Sequence, residues 1–549
     1  MIRVIPLGGL GEIGLNMTAF EHRDAVLLVD CGLMFPEDHM LGVDLVIPDM
    51  DFIRRNRSRV AGIVLTHAHE DHIGALPYLL REVDLPVYGT PFTLGMARQK
   101  LEEFEIHHEA GLHRISPERP LAVGPFALEF LRVAHSVVDG VAIAMTTDEG
   151  CIVHTGDFKL SRAATPQMDT DVDKFARIGD RGVLALLSDS TNVEREGETT
   201  PEHRIRETLA RAIAESAGRV IVALFASNIA RIQMMVDLAR AAGRKVIVSG
   251  RNIEASCEIA KQLGHLVIPR DCEVSIDLVD DYADDRIVIV TTGSQGEPMS
   301  ALARMAAGAH KQIRIRRGDT VILSSKFIPG NERAIHKIID NLYRLGADVV
   351  YEKIADIHVS GHAFREELKR MIRLTRPKYF VPIHGEYRHL VLHGRLAAEA
   401  GIPRERILVA ENGQVIEFEG GAGRLQGMVE TGRVLVDGKG VGDVGRAVLR
   451  ERRALSEDGV VAVTIAFDEG TGIIVYGPEI VSRGFVFEHE TGYLLQDANC
   501  VVLEVVEEVP FETPQRIERI RARIQSALRQ YFFFTIGRRP VILPFIMEV

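Results

Sequence analysis

His67, His69, Asp71 and His72 put four potential metal ligands within six positions, a spacing that can serve two cations at once. The run follows an apolar stretch, Val60-Ala61-Gly62-Ile63-Val64-Leu65, and leads into a helix-like pattern over residues 73–80. It is therefore expected where a buried strand ends and a helix begins. Side chains two apart in an extended chain share a face, which points His67 and His69 the same way. The turn into the helix brings Asp71 and His72 toward a second ion beside the first. Imidazole with carboxylate suits Zn²⁺, Mn²⁺ or Fe, and the lack of thiolates argues against a closed structural zinc site. The plainer alternative is a polar strand-to-helix cap with surface histidines.

Two cations need further donors, and three candidates stand where apolar strands stop. His135 follows Leu131-Arg132-Val133-Ala134, Asp157 follows Cys151 to Gly156, and His384 follows Tyr379-Phe380-Val381-Pro382-Ile383. Loops at strand ends are the usual carriers of active-site groups. His154, three residues before Asp157, competes with it and is read as a supporting or structural histidine.

The elements that must position these residues change character along the chain. Through about residue 190, short apolar runs (127–133, 141–146 and 151–155) suggest stacked sheets with helices outside. From about 204 to 350 a regular alternation predicts an open α/β sheet: helix 203–217, strand 220–224, helix 228–242, then strands 245–248, 287–290 and 320–323. A histidine-rich segment returns near 384, so this block reads as an insertion. The expected division is 1–203 and 368–430 for a split first domain, 204–367 for the insert, 431–448 for a linker and 449–549 for a small α/β tail. That tail is expected to hold strands at 460–465 and 500–506 and an arginine-rich helix over 514–530.

The segment Gly9-Leu10-Gly11-Glu12-Ile13-Gly14 matches a dinucleotide-binding fingerprint, with Asp30 about 20 residues on. No helix pattern follows: a polar turn at 17–20 leads to an apolar run at 25–30, which is a hairpin. The glycines are read as tight turns near the metal site, without a nicotinamide or flavin cofactor.

A chain of 549 residues exceeds one hydrophobic core. With 46% apolar and 26% charged residues it is globular, and its net charge of −12 means that a nucleic acid must be held by a local basic groove. Five scattered cysteines without a CxxC pair favour a reducing compartment and buried thiols. Arg3, Pro6 and Glu12 interrupt any signal-peptide core, and the apolar run 531–534 is soon closed by Arg538-Arg539, so a cytoplasmic protein with no membrane partner is expected.

The HxHxDH run followed by His135, Asp157 and His384 resembles the metallo-β-lactamase superfamily. That resemblance implies that His67, His69 and His135 hold one ion, that Asp71, His72 and His384 hold the other, and that Asp157 bridges them, with a hydroxide between the ions as attacking group. The superfamily also contains lactamases, thioesterases and glyoxalase-type hydrolases. The insert resembles the β-CASP group through Leu187-Ser188-Asp189-Ser190-Thr191-Asn192, His358-Val359-Ser360-Gly361-His362 and Ile383-His384-Gly385-Glu386. Further runs extend the likeness: Pro6-Leu7-Gly8-Gly9, Met34-Phe35-Pro36-Glu37-Asp38, Thr292-Gly293-Ser294-Gln295-Gly296-Glu297-Pro298 and Ile328-Pro329-Gly330-Asn331-Glu332. With the tail domain, these look specifically like the bacterial and archaeal ribonuclease J family.

In Ser360-Gly361-His362 a hydroxyl, a backbone N–H and an imidazole can converge on phosphate oxygens, although a self-satisfied turn would use the same residues. The resemblance implies that this pocket receives a 5′ monophosphate or a backbone phosphate. It also makes His362 the acid that assists the leaving group and Asp189 the acid that orients a metal-bound histidine or the hydroxide. Asp71 joins them as a catalytic residue. Ser294, Gln295 and Gly296 offer a second phosphate cradle, against a plain strand-to-helix turn. Arg251, Lys311, Arg314, Arg316 and Arg317 are candidates for the RNA backbone, against a solvated charged face.

The expectation is thus an α/β protein: a metallo-β-lactamase αββα sandwich with an inserted β-CASP domain and a small C-terminal α/β domain. The implied activity is a ribonuclease using two divalent ions, Zn or Mn, with 5′-to-3′ exonuclease and endonuclease action in RNA maturation and decay. RNA with a 5′ monophosphate, homodimer or homotetramer formation largely through the tail, and an RNA-degradation complex are the partners it implies. The alternatives are a small-molecule metallo-hydrolase of lactonase or thioesterase type, and a non-catalytic RNA-binding scaffold.

Overall fold

The computed structural model describes residues 1–107, 111–160, 169–297, 299–325, 327, 331–352, 354, 357, 359–486 and 492–549. His358, Pro298 and residues 328–330 of the motifs above lie outside the described residues. Two compact units are present: Met1–Phe35 with Leu45–Val434, and Pro36–Asp44 with Leu435–Val549.

In the first unit, alternating and fully apolar runs build two facing sheets. The eight-stranded sheet has the order Ala422–Met428, Gln414–Glu419, Ile2–Gly8, Met17–His22, Ala25–Val29, Val60–Val64, Val87–Gly89, Leu112–Arg114. The six-stranded sheet runs Tyr379–Ile383, Ala185–Asp189, Gly150–His154, Val141–Thr147, Phe126–Arg132, Leu121–Val123. Phe20, Leu27 and Val64 of the first sheet share one core with Phe130, Ile143, Leu187 and Val381 of the second. Helices Val172–Arg181, Arg365–Thr375 and Tyr387–Glu399 cover the outer face of the six-stranded sheet around Phe175, Met371 and Leu396. Helix Pro91–Glu103 packs on the eight-stranded sheet. This is the expected αββα arrangement. Residues 17–20, expected as a turn, instead begin a strand paired with Ala25–Val29, because Ala19 and Phe20 are buried against the core.

Strand direction places the candidate residues. Gly150–His154, Ala185–Asp189 and Tyr379–Ile383 run parallel, and two antiparallel steps give Phe126–Arg132 the same sense. Their ends therefore deliver His135, Asp157, Asp189 and His384 to one edge. The parallel pair Ala25–Val29 and Val60–Val64 delivers Asp30 and His67 in the same way.

The insert is a five-stranded parallel sheet in the order Lys245–Ser249, Ile287–Thr291, Val220–Ala223, Thr320–Leu323, Asp348–Val350. Near-continuous Val and Ile runs suit a sheet covered on both faces. The chain enters the insert after Thr199 and returns before Phe364. One buried carboxylate ties both crossings: Glu367 accepts from Leu160 N at 2.8 Å, Thr199 N at 2.9 Å, Thr199 Oγ1 at 3.0 Å and Phe364 N at 3.0 Å. Nearby, Glu202 lies between the buried cations Lys159 and Arg231, at 3.2 and 3.0 Å.

The second unit carries a sheet ordered Ile474–Arg483, Val460–Phe467, Val541–Glu548, with helices Gly492–Glu507 and Arg516–Ile536 around a core of Val461, Val463, Ile465, Val502, Ile524 and Phe532. The strand expected at 500–506 is helical. Leu494, Ala498, Val502 and Val505 are buried at helical spacing, so packing against the sheet overrides the β-branched composition. The uncovered sheet face exposes Val481, Leu543, Phe545 and Met547. Cys31, Cys257 and Cys272 are buried as expected, whereas Cys500 is exposed on its helix. No helix among the described residues is long and apolar enough to cross a membrane.

Candidate metal centre

The opening motif lies on the turn from Val60–Val64 into the short helix Glu70–Ile73, with His69 extended at the N-cap. Backbone bonds from Asn16 N to Asp71 O (3.1 Å), Cys31 N to His72 O (2.7 Å) and Leu33 N to Glu70 O (3.0 Å) zip two neighbouring segments onto it. Gly32 is obligatory there, since a Cβ would stand 1.6 Å from Asp71 O.

All seven expected ligands converge. His67 Nε2 and His135 Nε2 lie 3.0 and 3.1 Å from His69 Nδ1, and each is 3.6 Å from Asp157 Oδ2. Asp71 Oδ2 is 3.6 Å from His72 Nε2 and 3.4 Å from His384 Nε2, while Asp157 Oδ2 is 3.3 Å from His72 Nε2. The sets His67, His69, His135, Asp157 and Asp71, His72, Asp157, His384 each keep their ligand atoms within 4.8 Å of one another, and Asp157 belongs to both. Zinc bound at roughly 2.0–2.1 Å to nitrogen spaces tetrahedral ligands about 3.3 Å apart, which these separations match. His384 Nε2 is buried and makes no well-formed hydrogen bond among the described residues, facing only Asp71 Oδ2 at 3.4 Å, as a nitrogen shared with a cation would. The residues fit two divalent ions.

The electrostatics agree. Burial pushes His67 and His135 well below the usual imidazole range and His69 down to about 4, so these rings offer neutral lone pairs. Burial opposes charge on His72 and His384 too, but Asp157 and its neighbouring carboxylates outweigh it, raising His72 well above its ordinary value and His384 to about 10. Asp71 and Asp157 are held low against burial, Asp71 chiefly by His72 and Asp157 chiefly by His384 and His72. A buried anionic pair of this kind favours bound cations.

Outer contacts fix ring orientation. Asp30 Oδ2 takes the His72 Nδ1 proton at 2.8 Å and is itself held by Thr66 N and Oγ1 at 2.7 and 2.8 Å. His135 Nδ1 donates to Gly361 O at 2.7 Å, and His384 Nδ1 to Asp157 Oδ1 at 2.7 Å. The glycine pattern before Asp30 suggests only a ribose-binding acid, which the hairpin excludes, although Asp30 ends an apolar strand just as Asp157 does. His384 adopts a left-handed φ of 53°, a conformation that costs a side-chain-bearing residue about 1–3 kcal/mol. His154 supports rather than ligates: its Nδ1 accepts from Gly156 N at 3.1 Å, and burial lowers it to about 4.

The insert's return segment completes the centre. His362 Nδ1 is 2.8 Å from Asp189 Oδ2, and Asp189 raises His362 against its burial. Asp157, Asp189, His362 and His384 form a third close cluster. Ser360 Oγ receives Asn192 Nδ2 at 2.6 Å, a contact the sequence did not signal because the two residues belong to distant loops. Gly361 packs where a Cβ would meet His135 Cε1 at 2.6 Å. Ser294 and Gln295 are buried, with Gln295 Nε2 donating to Ser325 Oγ at 2.9 Å, and Gly296 turns tightly against Ala334. The Gln295 side chain is thus engaged in holding the loop. Arg251 is exposed at the start of Arg251–Gln262. Lys311, Arg314, Arg316 and Arg317 are exposed as well, and Arg316 is paired with Asp280 and Asp284.

Comparison with known proteins matches this architecture. The metallo-beta-lactamase superfamily model covers residues 10–173, the ribonuclease J beta-CASP domain 217–342, the Zn-dependent metallo-hydrolase RNA specificity domain 346–407 and the ribonuclease J C-terminal domain 447–549. Ribonuclease J2 of Bacillus subtilis (strain 168) is 41% identical over 548 residues, covering 100% of this chain and 99% of its own. Ribonuclease J 1 of Streptococcus pyogenes serotype M3 is 40% identical over 547 residues, covering 100% and 97%. A crystal structure of a protein of unknown function from Enterococcus faecalis V583 shares the fold, with a TM-score of 0.54 at 16% identity over 76% of this chain and 99% of that one. With two relatives near 40% identity from end to end and both family-specific domains in place, the chain belongs to the ribonuclease J family.

Proposed function

We propose that this chain is a metal-dependent ribonuclease that hydrolyses RNA as a 5′-to-3′ exonuclease and as an endonuclease, in RNA maturation and decay. The observation that carries this reading is the meeting of two ligand sets on Asp157 with the Asp189–His362 pair beside them. In this reading His67, His69 and His135 hold one ion, Asp71, His72 and His384 the other, and Asp157 both. What two bound divalent ions, zinc or manganese, supply is Lewis acidity toward a phosphate oxygen and a water acidified enough to attack phosphorus.

The chain's own residues do the rest. Asp189 accepts from His362 Nδ1 and stabilises the imidazolium form, in which Nε2 carries a second proton that is given to the departing 3′ oxygen. Ser360 Oγ, the Gly361 backbone and His362 receive a phosphate of the RNA. The loop of Ser294, Gln295 and Gly296 contributes backbone donors, because the Gln295 amide is spent internally. Arg251 contacts the RNA backbone as an exposed cation.

Self-association as a homodimer or homotetramer is assigned to the uncovered face of the tail sheet, and the working compartment to the cytoplasm. Membership of an RNA-degradation complex is part of the same reading.

The test is incubation with Mn²⁺ or Zn²⁺ and 5′-monophosphorylated RNA. Release of mononucleotides is expected. Intact RNA alongside hydrolysis of a lactone or thioester would replace this reading with a small-molecule hydrolase, and the absence of any turnover would favour a binding scaffold.

A further inference from the structure

The acid inside the glycine cluster has no place in either ligand set, yet Glu12 is only 6% exposed. Its carboxylate collects four donors. Gly9 N reaches Oε1 at 3.2 Å and Asn412 Nδ2 reaches it at 2.6 Å, while Arg433 gives Nε at 2.9 Å and Nη2 at 2.7 Å to Oε2. Asn412 Oδ1 in turn accepts from Leu10 N at 2.9 Å.

The segment so anchored is the one that holds the chain beyond His384. Leu10 and Gly11 pair in parallel with Gly385 and Glu386, and Glu12 bridges to Gly385. With Gly9 at φ 87° and Gly11 at φ 77°, this segment runs through left-handed turns and takes its shape from outside anchors. His384 is also left-handed, and its carbonyl is held by Ser190 N at 3.3 Å and Thr191 Oγ1 at 3.3 Å. The backbone on its other side rests on Leu10 to Glu12.

The geometry points to Glu12 as a positioning residue that, through Asn412 and Arg433, clamps the backbone carrying His384 and so sets the affinity of one ion of the pair. The inference rests on the two-ion reading above and goes further, because it makes the two ions unequal in their dependence on a residue that touches neither. Loss of the carboxylate would take one partner from the half-buried Asn412 amide, end the ion pair with the exposed Arg433 and release Leu10 to Glu12 from their anchor. The set His67, His69, His135 lies on other elements and would keep its ion.

The experiment titrates metal-stripped full-length protein with Mn²⁺ alone, reading free and bound ion by electron paramagnetic resonance, for wild type, Glu12→Gln, Glu12→Ala and Arg433→Met. Wild type is expected to bind two ions. In Glu12→Ala one ion should weaken about 10–100-fold while the other stays within about threefold, with Glu12→Gln and Arg433→Met showing smaller losses at the same ion. If Glu12→Ala does not fold, the two milder variants decide. Native affinity for both ions in these variants overturns the clamp, as does an equal weakening of both ions, which would mark general loosening. A wild-type chain that binds fewer than two ions sinks the two-ion reading and the clamp with it. Two ions in wild type with unchanged variants sink the clamp alone.

Discussion

Asn192 donates its side-chain amide to Ser360 Oγ at 2.6 Å and to His362 O at 3.2 Å, joining the end of the first hydrolase segment to the insert's return. The same Oγ accepts from His362 N at 3.2 Å. With both lone pairs engaged, the hydroxyl hydrogen is left to donate to an incoming phosphate. Asn192→Ala should therefore raise KM for 5′-phosphorylated RNA about 5–10-fold, the worth of one hydrogen bond, with a smaller effect on 5′-hydroxyl RNA. Equal effects on the two substrates would refute the assignment.

Asp189→Asn keeps the shape of the acid but removes the charge that raises His362. The turnover number should fall about 10²–10⁴-fold while KM changes little. Steady-state kinetics on a defined RNA check this, and a turnover number within tenfold of wild type would remove His362 from proton transfer.

Gly32→Ala forces a methyl group into Asp71 O and the His72 backbone, at 1.6 and 2.8 Å before any shift. Backbone cannot yield there as a flexible side chain would. The variant should lose most of its bound metal and its activity together, as elemental analysis of purified protein would show. Full metal content would mean that the motif tolerates a displacement its crowded geometry disallows.

His393 is fully buried, bonded through Nδ1 to Ser190 Oγ at 3.0 Å, and burial lowers it to about 3. The folded state then refuses a proton that the unfolded chain accepts near pH 6.5, so stability falls as pH drops below that value and keeps falling toward pH 3. Between pH 7 and pH 5 this one group should cost about 2 kcal/mol. His393→Asn, which can keep the bond to Ser190, should show a correspondingly shallower loss in urea unfolding over that interval. Parallel slopes for variant and wild type would assign the acid sensitivity elsewhere.

Phe545, 54% exposed, lies between Leu543 and Met547 on the uncovered tail face. If the homodimer or homotetramer proposed above forms through this face, Phe545→Asp in the full-length chain should weaken it by more than about tenfold, the effect of 1.4 kcal/mol, and leave metal binding unchanged. Sedimentation velocity checks it, and an unchanged oligomer would move the interface to another surface.

Much of this centre is legible in the sequence because its candidate ligands obey a local rule: His135, Asp157 and His384 follow apolar strands, the first four residues sit in the turn from a strand into the helix Glu70–Ile73, and parallel strands bring such ends to one edge. His67, His69, Asp71, His72, His135, Asp157 and His384 were all reachable in that way. Asp30 obeys the same rule and was obscured by the glycine pattern before it. Asn192 and Glu12 were not legible, because their partners, Ser360, Asn412 and Arg433, are neighbours only after folding. The tail helix Gly492–Glu507 was hidden for another reason: Cys500-Val501-Val502 is rich in strand-forming residues, and only packing against Val461 and Val463 selects the helix.

Glu367 gathers amides from both passages between the sandwich and its insert. Seen from the polymer, the insert is a long excursion with a narrow mouth, and the entropy of closing such a loop grows only with the logarithm of its length. Sewing the mouth shut with one carboxylate lets the interior lengthen or shorten at little thermodynamic expense, so the insert is free to diversify while the cation-binding edge it returns to stays put.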